Sequence, residues 1–171
     1  MGILKSTWNR FHKKVFFNAC KKGDESQVFS MLRDEPDLAE LKDKRGISPL
    51  FYAVEKGHKK IAEAILKITN RPNDVEPEKA FTPLLFAATK GYNAVVRLLL
   101  EYGADPNAQS IDGITALHNA VHKDQVDIVN MLLEAGADPM IQDRLGNTAV
   151  DLASRSDNSR IKELFSKRNF R

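Results

Sequence analysis

Apolar residues recur along this chain at helical spacing, in short paired segments, and the pairs themselves repeat. The clearest copy runs Thr82-Pro-Leu-Leu-Phe-Ala-Ala-Thr-Lys-Gly91 and continues as Val95-Val-Arg-Leu-Leu-Leu-Glu-Tyr-Gly-Ala-Asp-Pro-Asn107. Its threonine returns thirty-three residues on, as Thr115, and again as Thr148. A fixed period of this size predicts stacked units, none of which can bury its apolar face alone. Within a unit each residue type has a physical reason. Gly46 supplies a tight turn, Ser48 caps the next helix, and Pro49 fits the first helical position, where a backbone donor has no partner to lose. Gly57 stops that helix in the left-handed conformation. Ile61, Ala62, Ile65 and Leu66 then form the buried face of a second helix. Each unit is therefore turn, helix, turn, helix.

The pattern divides the chain into a basic amphipathic segment, 1–13, and a repeat domain, 14–171, with units at 14–42, 43–77, 78–110, 111–143 and 144–171. The outer two units are expected to act as caps. Phe16-Phe-Asn-Ala-Cys-Lys-Lys-Gly23 is a degenerate copy of Leu50-Phe-Tyr-Ala-Val-Glu-Lys-Gly57. The last unit keeps Ile161, Leu164 and Phe165 as core and ends in the charged Lys162, Lys167, Arg168 and Arg171. Three departures stand out. Ala80 takes a turn-glycine position and is strained if φ there is positive. Thr69 to Pro77 carries one extra residue, so that loop is either a tolerated insertion or a contact site. Asp124 and Asp157 replace the helix-ending glycine.

The residues Thr82-Pro-Leu, Ala87-Ala, Gly91, Leu99-Leu and Gly103-Ala-Asp, with Thr115-Ala-Leu-His118, resemble the ankyrin repeat, whose core reads T-P-L-H-x-A. The resemblance covers about residues 14–166. It implies an all-α solenoid of about five helix–turn–helix units with β-hairpin-like loops projecting at right angles. It also implies a non-enzymatic module that binds another protein through its loop tips and the concave face of its first helices, and a hydrogen-bonding role for His118 between loops.

Composition narrows the setting. The 171 residues are 42% hydrophobic and 29% charged, and no apolar run approaches the roughly 20 residues needed to cross a bilayer. No secretory signal pattern opens the chain, and the lone Cys20 fits a reducing compartment. The cytoplasm is the expected location, with delivery into a host cell as the alternative. The net charge of +3 is uneven: residues 1–23 hold six basic side chains and no acid. This is not the spread of a nucleic-acid binder, and none is expected as a partner. In residues 1–15, Leu4, Trp8, Phe11 and Val15 form one apolar stripe. It reads either as a helix covering the open end of the stack or as a membrane-surface helix through residues 1–14. Met1-Gly2-Ile-Leu-Lys-Ser6 also fits the N-myristoylation acceptor pattern at Gly2, and the basic cluster would supply the second attachment a single acyl chain needs.

Catalysis finds no support. His118 and His122 share a helix face at metal-ligand spacing but lack a third ligand; Cys20 has no evident base; the glycines fall at repeat positions. No catalytic residue, metal or cofactor is expected. Binding is better founded. Ile47, Phe81, Ile114, Ile111 and Leu145 occupy loop positions that should be solvated, and in register they would make an apolar patch. Lys22, Lys56, Lys90 and Lys123, with Lys21, Glu55, His122 and Arg155 beside them, would line the concave face and invite an acidic partner segment. Tyr52 and Phe86 would add aromatic anchors. The unit at 78–110 is the expected centre of that surface, and a monomer is expected.

Overall fold

In the computed structural model, residues 2–168 are described, with backbone alone for residues 2–10. Ten α-helices lie among the described residues and pair in chain order: α1 (Gly2–Lys22) with α2 (Glu25–Asp34), α3 (Pro49–Glu55) with α4 (Lys59–Thr69), α5 (Pro83–Lys90) with α6 (Asn93–Glu101), α7 (Ala116–His122) with α8 (Val126–Glu134), and α9 (Ala149–Arg155) with α10 (Ser159–Ser166). The odd-numbered helices pack successively on one another, and so do the even-numbered ones. The fold is an all-α repeat.

Helices α3, α5, α7 and α9 have only seven or eight residues each, too few to persist alone in water. Their starts are fixed chemically. Ser48, Thr82, Thr115 and Thr148 each accept a backbone N–H from the third residue onward. At Thr115 and Thr148 the side chains of His118 and Asp151 reach back to complete a capping box. Packing does the rest. Leu50, Leu84 and Leu117 are buried, and Ala53, Ala87, Ala120 and Ala153 beside them let neighbouring helices approach closely. The second helices bury Ile61 and Ile65, Val96 and Leu99, and Ile128 and Leu132.

The N-terminal segment is not a separate element. α1 runs unbroken across residues 13 and 14, so the basic stretch and the first repeat helix are one helix. Phe16, Ala19 and Cys20 are buried, Val15 is half-buried, and Phe11 is 62% exposed. Phe11 thus does not cover the stack as the stripe suggested; the side chains of Leu4 and Trp8 lie outside the described residues. His12 and Glu35, 2.9 Å apart, join α1 to the end of α2. At the other end α10 buries Ile161 and Phe165 and leaves Lys162 and Lys167 exposed; Arg171 lies outside the described residues.

The three departures from the repeat resolve differently. Ala80 does adopt the left-handed turn, with φ 53°, close to its glycine counterparts. Asp124 also takes positive φ, at 55°. At the last unit, however, α9 closes on Ser156 in extended backbone instead. The irregular loop is anchored: Asn70 caps α4 in the left-handed conformation, Pro72 is buried, Asp74 meets Arg71 and Lys42, and Glu76 bridges to Phe81.

Left-handed backbone at alanine is unfavourable by about 1–2 kcal/mol, partly offset on substitution by the extra chain freedom glycine has when unfolded. Ala80→Gly is therefore expected to stabilise the fold by about 0.5–1 kcal/mol, raising the thermal midpoint by roughly 1–4 °C. A lower midpoint in a calorimetric scan would remove strain at Ala80 from the account.

Candidate functional site

The loops that project from the stack are built on one device. Asp43 Oδ1 accepts the N–H groups of Arg45 and Ile47, Ser110 Oγ those of Asp112 and Ile114, and Asp143 Oδ1 those of Leu145 and Asn147. In the irregular loop the Glu76 carboxylate takes the same part for Glu78 and Lys79. The hairpin closes when the same residue's N–H donates to the carbonyl of Ile47, Phe81, Ile114 or Asn147. Those four positions are return arms, directed back to the helices.

That geometry corrects part of the sequence reading. Ile47, expected at a solvated tip, is buried at 1% exposure. Phe81 and Ile114 are half-buried, with Phe81 packed against the core. The true tips are Ile111 and Leu145, exposed at 49% and 86%, with adjacent loops joined by the bond from Arg144 N–H to the Asp112 carbonyl. Met140, in the loop before the second of these hairpins, is 49% exposed and is an apolar surface residue that the sequence reading missed. The available signal was its place thirty-three residues after Asn107, where a hairpin asparagine would otherwise stand.

Tyr52 is not an open anchor either. It is buried at 5% exposure, its ring 5.9 Å from that of Phe17 and capped by Lys21 Nζ at 3.9 Å, and its hydroxyl donates to Asp43 Oδ2 at 2.6 Å. Burial and the neighbouring carboxylate push its pKa up to about 12. For Asp43, burial alone would raise the pKa. The bonds from Tyr52 and from the Ile47 and Arg45 amides, with the Arg45 charge, outweigh it and hold the carboxyl below its usual range. Phe86 remains half-open, edge-on to Phe51 at 5.5 Å with Lys90 Nζ over its face. Lys22, Lys56, Lys90, His122, Lys123 and Arg155 are all exposed.

A second set of bonds links successive loops. Asn107 donates to the Gly136 carbonyl and accepts the Asp138 N–H. Asn73 does the same toward Gly103 and Asp105. The extra residue in its loop hid that equivalence. His118 is buried; its Nδ1 lies 2.8 Å from Thr115 Oγ1 and accepts the Thr115 N–H, so Nε2 carries the proton donated to the Asn147 carbonyl. It ties two loops together, while His122 faces solvent. Among the described residues no group of three or more His, Cys, Asp or Glu is placed to hold a metal. Burial pushes the Cys20 thiol up to about 12, which leaves it un-ionised at neutral pH and a poor nucleophile.

Because the Asp43 pKa is lowered in the fold, the stability its charge confers is complete above the ordinary carboxylate range. It is lost as pH falls through the lowered value. Tyr52→Phe is expected to cost about 1–2 kcal/mol at neutral pH. Denaturant titrations should show the gap to wild type narrowing below about pH 3–4. An undiminished gap in acid would mean that the hydroxyl does not act through the Asp43 charge.

Comparison with known families agrees with this architecture. A profile described as ankyrin repeats (3 copies) matches residues 16–110, and another, ankyrin repeats (many copies), matches residues 110–153. A comparison with curated proteins finds none that matches. Since the first profile alone spans more than half of the chain, and the helix pairs, caps and loops follow one repeating plan, the chain belongs to the ankyrin-repeat family.

Proposed function

We propose that this chain is a non-enzymatic protein-binding module, an adaptor, scaffold or stoichiometric inhibitor, that holds its partner between the loop tips and the concave face. Ankyrin repeats are in general modules for protein–protein interaction, and that is the frame for the reading. The observation that carries it is Leu145. Its backbone is fixed by Asp143 while 86% of the residue is left in water. Covering such a side chain is worth about 1.5–3 kcal/mol. Ile111 stands exposed on the adjoining loop, and Met140 is exposed ahead of the Leu145 hairpin. Lys56, Lys90, His122 and Lys123 supply a basic face for an acidic partner segment, with Phe86 half-open beneath Lys90. The binding set thus moves from the 78–110 unit toward the tips at 111 and 145, and Ile47 and Tyr52 leave it.

Ile111→Asp with Leu145→Asp is expected to weaken capture of the partner by about tenfold or more. Folding stability should change by no more than about 0.5 kcal/mol per site. Affinity capture compared by quantitative mass spectrometry checks this, with Arg97→Ala and Ser159→Ala on the second helices as control. The same proteins retained in equal amounts by both pairs would sink the tip assignment.

The exposed Phe11, with Lys13 and Lys14 beside it, favours a second reading. The chain would also touch a membrane surface through residues 1–14, with Gly2 acylated. Gly2→Ala should then lower the membrane-bound fraction and remove an acyl mass. Unchanged partition, and no acyl mass on the wild type, would dispose of it.

A further inference from the structure

A half-open cleft lies at the N-terminal end of the stack, between α1 and the loop leading to α3. Lys13, Lys14 and Lys21 line it from α1, Lys42 and Lys44 from the loop, and Phe17 lies between, around a volume of about 600 Å3. That is within the roughly 300–1,000 Å3 range of small-molecule sites. It is independent of the tip surface and of the protein-binding reading.

The charges in the cleft are unbalanced. Asp43 is its lining carboxylate, but its Oδ1 accepts two backbone N–H groups and its Oδ2 the Tyr52 hydroxyl. It holds the turn and keeps its negative charge, but the five lysines outnumber it. Lys13, Lys14 and Lys44 have no ion-pair partner among the described residues, and Lys42 leans toward Asp74 at 3.6 Å. Lys21 Nζ lies over the Tyr52 ring. Gathering five ammonium groups around one concavity raises the local positive potential, and a bound polyanion relieves it.

The type of cation narrows the ligand. Ammonium groups are compact charges on rotatable stems, with none of the planar fork by which arginine matches a single carboxylate. They suit tetrahedral oxyanions approached from several directions. One phosphate would engage only some of these lysines; the volume admits a small scaffold bearing several. We propose that this cleft binds a compact ligand carrying multiple phosphate groups, of the kind offered by a soluble inositol polyphosphate or by a phosphoinositide headgroup.

The test titrates the full chain with inositol hexakisphosphate by calorimetry, beside inorganic phosphate and an oligoglutamate peptide. Saturable, salt-sensitive binding of the hexakisphosphate is expected. Lys14→Gln with Lys44→Gln should weaken it by about tenfold or more, whereas Lys56→Gln with Lys90→Gln on the neighbouring concave face should leave it nearly unchanged; melting curves check that both variants fold. Vesicle arms separate the sources. Sedimentation with phosphatidylcholine vesicles containing phosphatidylinositol bisphosphate, but not with phosphatidylserine vesicles of equal charge, would assign the ligand to a membrane. Binding of the soluble compound without sedimentation would assign it to a free metabolite. No saturable binding, equal weakening by the two lysine pairs, or equal affinity for the oligoglutamate peptide would overturn the proposal.

Discussion

Short helices that cannot stand alone are the constraint on which everything else in this structure depends. α3, α5, α7 and α9 are about two turns long, and forming such a helix in isolation loses more chain entropy than its few hydrogen bonds recover. Each exists because its neighbours bury it, so the unit of stability is the contact between successive pairs and not the pair itself. Two local devices lower the cost of ordering each unit. A hydroxyl cap fixes where its first helix starts, and alanines at the packing face keep the helices close. With the helices committed to one another, the loops are the places free to vary.

The architecture was legible because these devices are written locally. Period, cap, proline and glycine fall at fixed offsets, and each has one structural meaning. The surface was harder to read because it depends on which arm of a hairpin a residue occupies. Ile47 looked like a tip residue by its distance from the turn glycine. The bond between Asp43 and Ile47 makes it a return residue, and it ends in the core. Tyr52 lies on the solvated side of its helix by register, but the side chains of Phe17, Lys21 and Asp43, from the preceding helix and loop, close over it. Lys56, Lys90 and Lys123, by contrast, are exposed as their position at the helix ends suggests.

Two further features escaped for reasons of distance. Asn73 is equivalent to Asn107 only once the added residue is placed after it, and the sequence alone does not say where in the loop to put it. The lysine-lined cleft joins α1 to a loop about twenty residues further on, where the degenerate first unit ends and the second begins. Its composition was visible as a basic bias at one end of the chain. Its concavity was not.

The asparagine bonds have a mechanical implication. Asn73 and Asn107 fasten the loops of the three central helix pairs in series, and the position that would continue the chain of ties holds Met140. The central pairs are thereby clamped into one block, whereas the α9–α10 pair is held by helix packing and by other loop bonds, such as that from His118 to Asn147. Ile111 sits on the block and Leu145 on the pair beyond it. A ligand that touches both spans this boundary, where the two tips are fastened to each other by the bonds from Arg144 to Asp112 instead of by an asparagine. The spacing of the two apolar tips is thus set by bonds between the loops themselves, and any ligand that reads both reads that spacing.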